Sequence, residues 1–147
     1  SKMVWCTLIL FMLVVKITHS LPVTDCGSLG GNVTSVKIDI CDSLPCVLPR
    51  GRNVTIDVDF NCHEEATKPL AKVHGIIAGI PVPFHLPNND GCSSGLKCPI
   101  EPNEDYEYIN TIPILKNYPK LSLNIKWELQ DDSGKDIFCI LIPASIQ

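Results

Sequence analysis

The sequence has little that could support catalysis or nucleic-acid binding. It has 12 Lys and Arg against 16 Asp and Glu, a formal net charge of −4, and no basic stripe that could follow a phosphate backbone. It contains no glycine-rich phosphate loop. His63 does not begin a zinc-protease helix, because Thr67 stands where the second His would have to be. We therefore expect neither an enzyme nor a nucleic-acid-binding protein.

Metal-binding patterns are equally scarce. Asp131, Asp132 and Asp136 lie close together in the chain, but their spacing lacks the further ligands of an EF-hand loop. The short cysteine spacings are C-x4-C and C-x5-C with no adjacent His, which disfavours zinc. We expect no metal and no cofactor.

Only one long apolar run is present, and it lies near the start of the sequence. Lys2 precedes a mostly apolar stretch over residues 3–15, and residues 18–20 offer small side chains at positions −3 and −1 of a cleavage site. This layout predicts a secretory signal peptide over residues 1–20, and the run is too short for a transmembrane helix. An amphipathic membrane anchor is the alternative, which the apolar character on all sides disfavours. Cleavage would leave one domain over residues 21–147 with a formal charge of −6.

Cysteines are numerous, and seven of them fall within residues 21–147. In a secreted domain this density indicates a disulfide framework. The spacing suggests three bridges without proving them: Cys41–Cys46, Cys92–Cys98 and Cys26–Cys139. Cys62 is then left over, and an odd thiol in a secreted protein is either buried or has an intermolecular partner.

Alternation of apolar and polar residues dominates this part of the chain. Val54, Ile56, Val58 and Phe60 share one face of a segment whose other face is polar, which indicates a strand with one dry side. Strands are predicted over residues 36–40, 54–60, 106–115, 121–129 and 137–142. The last of these is apolar on both faces and should be central in its sheet. Residues 131–134 predict a hairpin turn, and no stretch has helical periodicity.

Prolines are frequent between residues 71 and 102, where Asn88–Gly91 adds a turn signal. Because proline cannot donate to a β-ladder, we predict that most of this segment is a shaped loop. About seven short, one-sided strands predict an all-β fold, an immunoglobulin-like β-sandwich of two antiparallel sheets.

Two N-glycosylation sequons begin at Asn32 and Asn53. In a secreted chain we expect both to carry glycans, the alternative being unmodified polar loop residues.

Several longer motifs point to a known family. They are Asp25-Cys26-Gly27-Ser28, Cys41-x4-Cys46, Val73-His74-Gly75-Ile76, Gly79-Ile80-Pro81-Val82-Pro83-Phe84, Asp90-Gly91-Cys92, Cys98-Pro99-Ile100, Tyr118-Pro119, Trp127-x-Leu129-Gln130-Asp131-Asp132 and Phe138-Cys139-x-x-Ile142-Pro143. With these motifs in this order, residues 21–147 resemble the Niemann-Pick type C protein 2-like branch of the ML (myeloid differentiation factor 2-related lipid-recognition) family.

The resemblance implies a sandwich whose sheets are splayed around an apolar cavity for a lipid. It implies the same three bridges, and Cys62 departs from the family's six-cysteine pattern. The ligand-binding residues that it implies are Phe84, Ile114 and Tyr118, with Ile38, Ile56, Val73, Val82, Tyr108, Ile112, Pro119 and Trp127 around them.

The function that the resemblance implies is a secreted, monomeric carrier of a sterol, fatty acid, similar lipid or semiochemical, acting in extracellular fluid or the endosomal or lysosomal lumen. His74, Gly75 and Ile76 resemble a surface that members bring to membranes, so transient contact with a membrane or lipid receptor is expected there. One alternative is an innate-immune subunit that presents bacterial lipid to a receptor, which the charge of −6 disfavours because lipid phosphates require a basic rim. The other is a structural or adhesive domain with a filled core.

Overall fold

The structure is a computed structural model, which describes residues 19–147. Residues 1–18 of the expected signal peptide lie outside the described residues. The described part consists of strands and one short 3₁₀ helix. The strands are β1 (Thr24–Asp25), β2 (Gly31–Ile38), β3 (Cys46–Leu48), β4 (Arg52–Cys62), β5 (Leu70–Ile77), β6 (Ile80–Phe84), β7 (Glu104–Ile114), β8 (Leu121–Gln130) and β9 (Asp136–Ile146), with the 3₁₀ helix at Gly91–Ser93. Residues 19–147 include no helix with the length and hydropathy of a membrane span.

The strands form two sheets, which confirms the predicted sandwich. One sheet has the order β1-β9-β8-β5-β6, and β3 pairs with β9 along the same edge as β1. The other has the order β2-β4-β7. All pairings are antiparallel except that of β3 with β9, which is parallel. The predicted central position of residues 137–142 is confirmed, because β9 pairs with β8 on one side and with β1 and β3 on the other.

The two sheets pack through the apolar faces that the alternation predicts. Along β4 every second residue from Val54 to Cys62 is buried, while the residues between them are partly exposed. At one end of the sandwich aromatic rings fill the space between the sheets: Phe60 packs edge-to-face on Phe138 with ring centroids 5.3 Å apart, and Tyr108 packs edge-to-face on Trp127 at 6.0 Å. Such pairs stabilise a core beyond the area that they bury. This end is therefore solid.

The prediction of a loop over most of residues 71–102 is wrong for its first part. Residues Leu70–Ile77 form β5, a central strand between β8 and β6, and residues Ile80–Phe84 form β6. Ala78 and Gly79 connect them with positive φ values of 49° and 79°, the conformation of a tight hairpin turn. Pro81 and Pro83 are accommodated because β6 is the edge strand, where a missing N–H group breaks no ladder.

Three disulfides connect the pairs that the spacing suggested. Cys41–Cys46 and Cys92–Cys98 have Cα–Cα distances of 5.2 and 5.5 Å, and Cys26–Cys139 joins residues 113 positions apart. Closing so long a loop contributes about 4–5 kcal/mol in the chain-entropy model. Cys62 is buried and bonded to no other cysteine among residues 19–147. Burial raises the pKa of the Cys62 thiol, which keeps it neutral and unreactive.

Candidate functional site

A cavity of about 200 Å³ lies between the two sheets at the end opposite the aromatic core. Strands from both sheets and the loop between β7 and β8 contribute to it. Its lining residues are Leu48, Val73, His74, Gly75, Ile77, Val82, Pro83, Phe84, Ile112, Ile114, Tyr118, Pro119, Leu121, Leu123, Ile125 and Ile146.

The cavity wall is almost entirely hydrocarbon. Only His74 and Tyr118 among the lining residues have polar side-chain atoms. The His74 side chain belongs to the outer row of β5, and its Nδ1 lies 3.9 Å from Oε1 of Glu128 outside the cavity. Burial raises the pKa of the Tyr118 hydroxyl, which therefore stays uncharged. The cavity consequently offers shape and apolar area to a ligand, and no charge.

Two aromatic rings from different segments meet at the cavity. Phe84 is the last residue of β6, and Tyr118 lies in the loop between β7 and β8. Their ring centroids are 5.9 Å apart with an interplanar angle of 68°, an edge-to-face contact. Both side chains are half-buried. The pair therefore stands where the cavity meets solvent.

Close packing disfavours a larger residue at position 75. A Cβ atom at this position would lie 3.0 Å from Cδ1 of Leu123 on the neighbouring strand β8. A larger residue would have to displace Leu123 within the cavity wall.

A second, smaller apolar space of about 20 Å³ lies deeper in the sandwich. Its lining residues are Ile38, Cys46, Leu48, Val54, Ile56, Ile112, Ile125, Trp127 and Ile142. Leu48, Ile112 and Ile125 line both spaces. These three side chains, which we call the septum, separate the cavity from the inner space.

The structure brings most of the expected ligand-binding residues to these two spaces. Those at the cavity are Phe84, Ile114, Tyr118, Val73, Val82, Ile112 and Pro119. Those at the inner space are Ile38, Ile56 and Trp127, together with the shared Ile112.

The expectation for Tyr108 needs correction, because it lines neither space. Tyr108 shares a face of β7 with Ile112 and Ile114 but lies further towards the solid end, where it is fully buried. Its hydroxyl accepts a hydrogen bond from Nδ2 of Asn110 at 2.9 Å, and its ring packs on Trp127 and Phe138. Burial raises the pKa of Tyr108. It is a core residue.

Sequence reasoning missed several wall residues. Leu121, Leu123 and Ile125 of β8 alternate in phase with Trp127, and this shared phase was the signal that could have placed them on the cavity side. Leu48, Ile77 and Ile146 carry no comparable signal. Leu48 lies in a strand of three residues, Ile77 lies in the segment predicted to be a loop, and Ile146 lies beyond the end of the strand predicted at 137–142.

The His74–Ile76 segment divides between two faces of β5. Gly75 lines the cavity, whereas the His74 side chain contacts Glu128 on the outer face of the six-stranded sheet. Near the opening, Ile80 and Val82 of β6 are 66% and 44% exposed. Apolar surface therefore continues from the cavity onto the outside of the β5–β6 hairpin.

One group of carboxylates could hold a metal ion in geometric terms. Carboxylate oxygens of Asp57, Asp59 and Glu107 lie within 4.8 Å of one another on the outer face of the three-stranded sheet. Burial and the charge of Asp59 raise the pKa of Asp57, and the charge of Asp57 raises the pKa of Glu107. Lys37 stands opposite Asp57 in the register of β2 and β4. The group lies outside the cavity and does not contribute to its chemistry.

Comparison with known proteins gives a consistent result. The protein named NPC intracellular cholesterol transporter 2 homolog a from Drosophila melanogaster is 48% identical over 136 residues, which is 90% of this chain and 92% of that protein. The crystal structure of a Niemann-Pick type C2 protein from Japanese carpenter ant superposes with a TM-score of 0.81 at 32% identity, covering 85% of this chain and 98% of that one.

A more distant structure shares the fold alone. Chicken MD-1 in complex with lipid IVa has a TM-score of 0.55 and 17% identity, with 83% of this chain and 95% of that chain covered. Residues 20–146 match the family described as the ML domain. The cavity, the three bridges and these relatives together show that the chain belongs to the ML domain family.

Proposed function

We propose that this protein binds one hydrophobic molecule, a sterol or fatty acid, in the cavity between its sheets and carries it through an aqueous compartment. The observation that supports this most is a cavity that opens to solvent and whose walls, contributed by both sheets, consist almost entirely of apolar side chains. Burial of each ligand CH₂ group contributes about 0.8 kcal/mol, so an apolar cavity can hold a lipid without a charged partner. Several of its relatives are named as intracellular cholesterol transporters.

The size of the cavity limits which ligands can bind without rearrangement of the side chains around it. A volume of about 200 Å³ is smaller than pockets for drug-sized ligands, which occupy about 300–1,000 Å³. The septum residues Leu48, Ile112 and Ile125 separate it from further apolar space. A narrow acyl chain needs less rearrangement than a ring system. We propose that the septum side chains move when a sterol binds.

Release and compartment are part of the same proposal. The exposed Ile80 and Val82 beside the opening, with His74 and Ile76 on the outer face of β5, form a surface for brief contact with a membrane or a lipid receptor. Three disulfides favour an oxidising environment, extracellular or endosomal and lysosomal. Asn32 and Asn53 have exposed side chains, as glycosylation would require. We propose that the carrier is a monomer.

The test begins with protein secreted from eukaryotic cells. Native mass spectrometry should show a bound mass that organic extraction removes, and the extracted protein should then bind a fluorescent sterol or a fluorescent fatty acid with one-to-one stoichiometry. A protein that holds no extractable lipid and binds neither probe would be a structural domain with a filled core, contrary to the proposal. No specific feature of the structure favours the immune alternative, since the likeness to MD-1 concerns the fold.

A further inference from the structure

We infer that Arg50 is a positioning residue for the cavity opening: its guanidinium group fixes one edge of the opening by joining the loop between β7 and β8 (residues 115–120) to the residue that follows β9. The inference rests on the proposed function, because it concerns how the carrier controls entry and release. Arg50 does not line the cavity.

The position of Arg50 in the fold is the first argument. It lies in the turn between β3, which belongs to the six-stranded sheet, and β4, which belongs to the three-stranded sheet. The backbone N–H of Arg50 donates to the carbonyl of Gln147 at 3.1 Å, and that of Gly51 donates to the carbonyl of Ile114 at 2.5 Å. The turn is thus bonded to both sheets at the hollow end of the sandwich.

The side-chain contacts are the second argument. Nη1 of Arg50 donates to the carbonyl oxygens of Tyr118 at 3.3 Å and Lys116 at 3.4 Å, and Nε donates to the carbonyl of Gln147 at 3.4 Å. The bonds are long, but they come from one planar group whose five N–H donors point in fixed directions. Arg50 is half-buried, so its side chain packs against these segments and does not extend into solvent.

The segment that Arg50 holds carries the aromatic pair. Tyr118 contacts Phe84 at the cavity edge. Within the loop itself, the backbone N–H of Tyr118 donates a hydrogen bond to the carbonyl of Leu115 at 3.2 Å. A loop with few bonds of its own opens at low free-energy cost. Arg50 adds bonds that reach Tyr118 from a distant part of the chain. Loss of the guanidinium group should therefore make opening more frequent without removing any wall residue.

The experiment compares three variants with the wild-type protein by stopped-flow fluorescence. Arg50→Met keeps an unbranched apolar stem and removes the N–H donors, and Arg50→Lys keeps the charge but not the planar guanidinium group. Arg52→Met is the matched control, because Arg52 is exposed at the start of β4 and makes none of these contacts. The probes are one fluorescent sterol and one fluorescent fatty acid.

For Arg50→Met we expect association and release rate constants both to rise, by roughly three- to tenfold, as loss of long charge-assisted hydrogen bonds would produce. The equilibrium dissociation constant should change less than either rate. Arg50→Lys should be intermediate, and Arg52→Met should match the wild type. A lower melting temperature with unchanged rate constants would make Arg50 a purely structural residue and overturn the inference.

Hydrogen exchange gives a readout that needs no ligand. Amides of residues 115–120 should exchange faster in Arg50→Met than in the wild type or Arg52→Met. If the wild type bound neither probe, the proposed function would fail, and exchange in this loop would still decide whether Arg50 holds it. Equal exchange in all three proteins would overturn the inference independently of binding.

Discussion

At the scale of single residues, the important contrast is between aromatic side chains that fill space and those that border it. Phe138 is fully buried in the solid end of the sandwich, whereas Phe84 is half-buried at the cavity edge. Both lie at strand positions with apolar neighbours. Because burial determines what truncation costs, the same substitution should have different consequences at the two sites.

Phe84→Ala should weaken binding of a fluorescent sterol roughly tenfold while the protein stays folded, because apolar area facing the ligand is lost. Its free energy of unfolding should fall by less than about 1.5 kcal/mol, as the ring is already partly in contact with water. Titration of the probe and urea denaturation measure the two quantities.

Phe138→Ala is the control, with an expected loss of about 3–5 kcal/mol of stability. If Phe84→Ala showed that large loss with unchanged affinity, Phe84 would belong to the core and its role at the cavity would be refuted.

At the scale of secondary structure, β8 contributes differently along its length. Its first half, Leu121 to Ile125, faces the cavity, and its second half, from Trp127 on, faces the solid core. Ile125 stands at the boundary as a member of the septum. The same strand therefore sets both the depth of the cavity and the stability of the closed end.

Ile125→Ala should join the cavity to the inner space and favour bulky ligands. We expect the affinity for the fluorescent sterol to rise relative to that for the fluorescent fatty acid, with a loss of about 2–4 kcal/mol in unfolding free energy. The ratio of the two dissociation constants is the measurement.

Ile142→Ala is the matched control, because Ile142 lines the inner space but not the cavity. It should destabilise to a similar extent and leave the ratio near that of the wild type. An equal change of the ratio in both variants would show that the septum does not limit ligand size.

At the scale of the whole molecule, a group of ionisable residues crosses the outer face of the six-stranded sheet. Burial and the adjacent Glu128 carboxylate raise the pKa of Asp136, at the start of β9, to about 7. Glu128 is also approached by Nζ of Lys126 at 3.7 Å and by Nδ1 of His74 on β5 at 3.9 Å. Ionisable side chains on the three neighbouring strands β5, β8 and β9 therefore interact, and the stability of this sheet should depend on pH.

The protein should become more stable as the pH falls from 8 to 5. A carboxyl group whose pKa is higher in the folded state binds its proton more tightly there, so the stability penalty present above pH 7 decreases steadily as the pH falls from 7 towards 5. Allowing for solvent screening, we expect a gain of about 1–2 kcal/mol in unfolding free energy. Urea denaturation at several pH values measures it.

Asp136→Asn removes this titration and should flatten most of the difference between pH 5 and pH 8. The comparison is restricted to this range because the lowered pKa values of Asp25 and Asp131 predict a loss of stability at more acidic pH. Identical pH profiles of wild type and Asp136→Asn would show that Asp136 does not carry the effect.

Much of the architecture could be predicted from the sequence because its signals are local. Alternation along residues 54–60 and 121–129 identified strands and their dry faces, and the run at 137–142 identified the central strand. Proline content misled the prediction for residues 80–84, since the chain alone does not say which strand lies at an edge. The short parallel strand β3 likewise depends on a partner about a hundred residues away.

Side-chain periodicity and cysteine spacing are enough to predict the sandwich, its apolar faces and the cysteines available for bridges. The position of the hollow end, by contrast, depends on contacts between segments that are distant in the chain. Tyr108 and Ile112 share one face of β7, yet one fills the core and the other borders the cavity. The difference depends on which side chains of the opposite sheet each one faces, and long-range strand pairing sets this. For the same reason no local pattern distinguishes Arg50, whose acceptors lie 66 to 97 residues away.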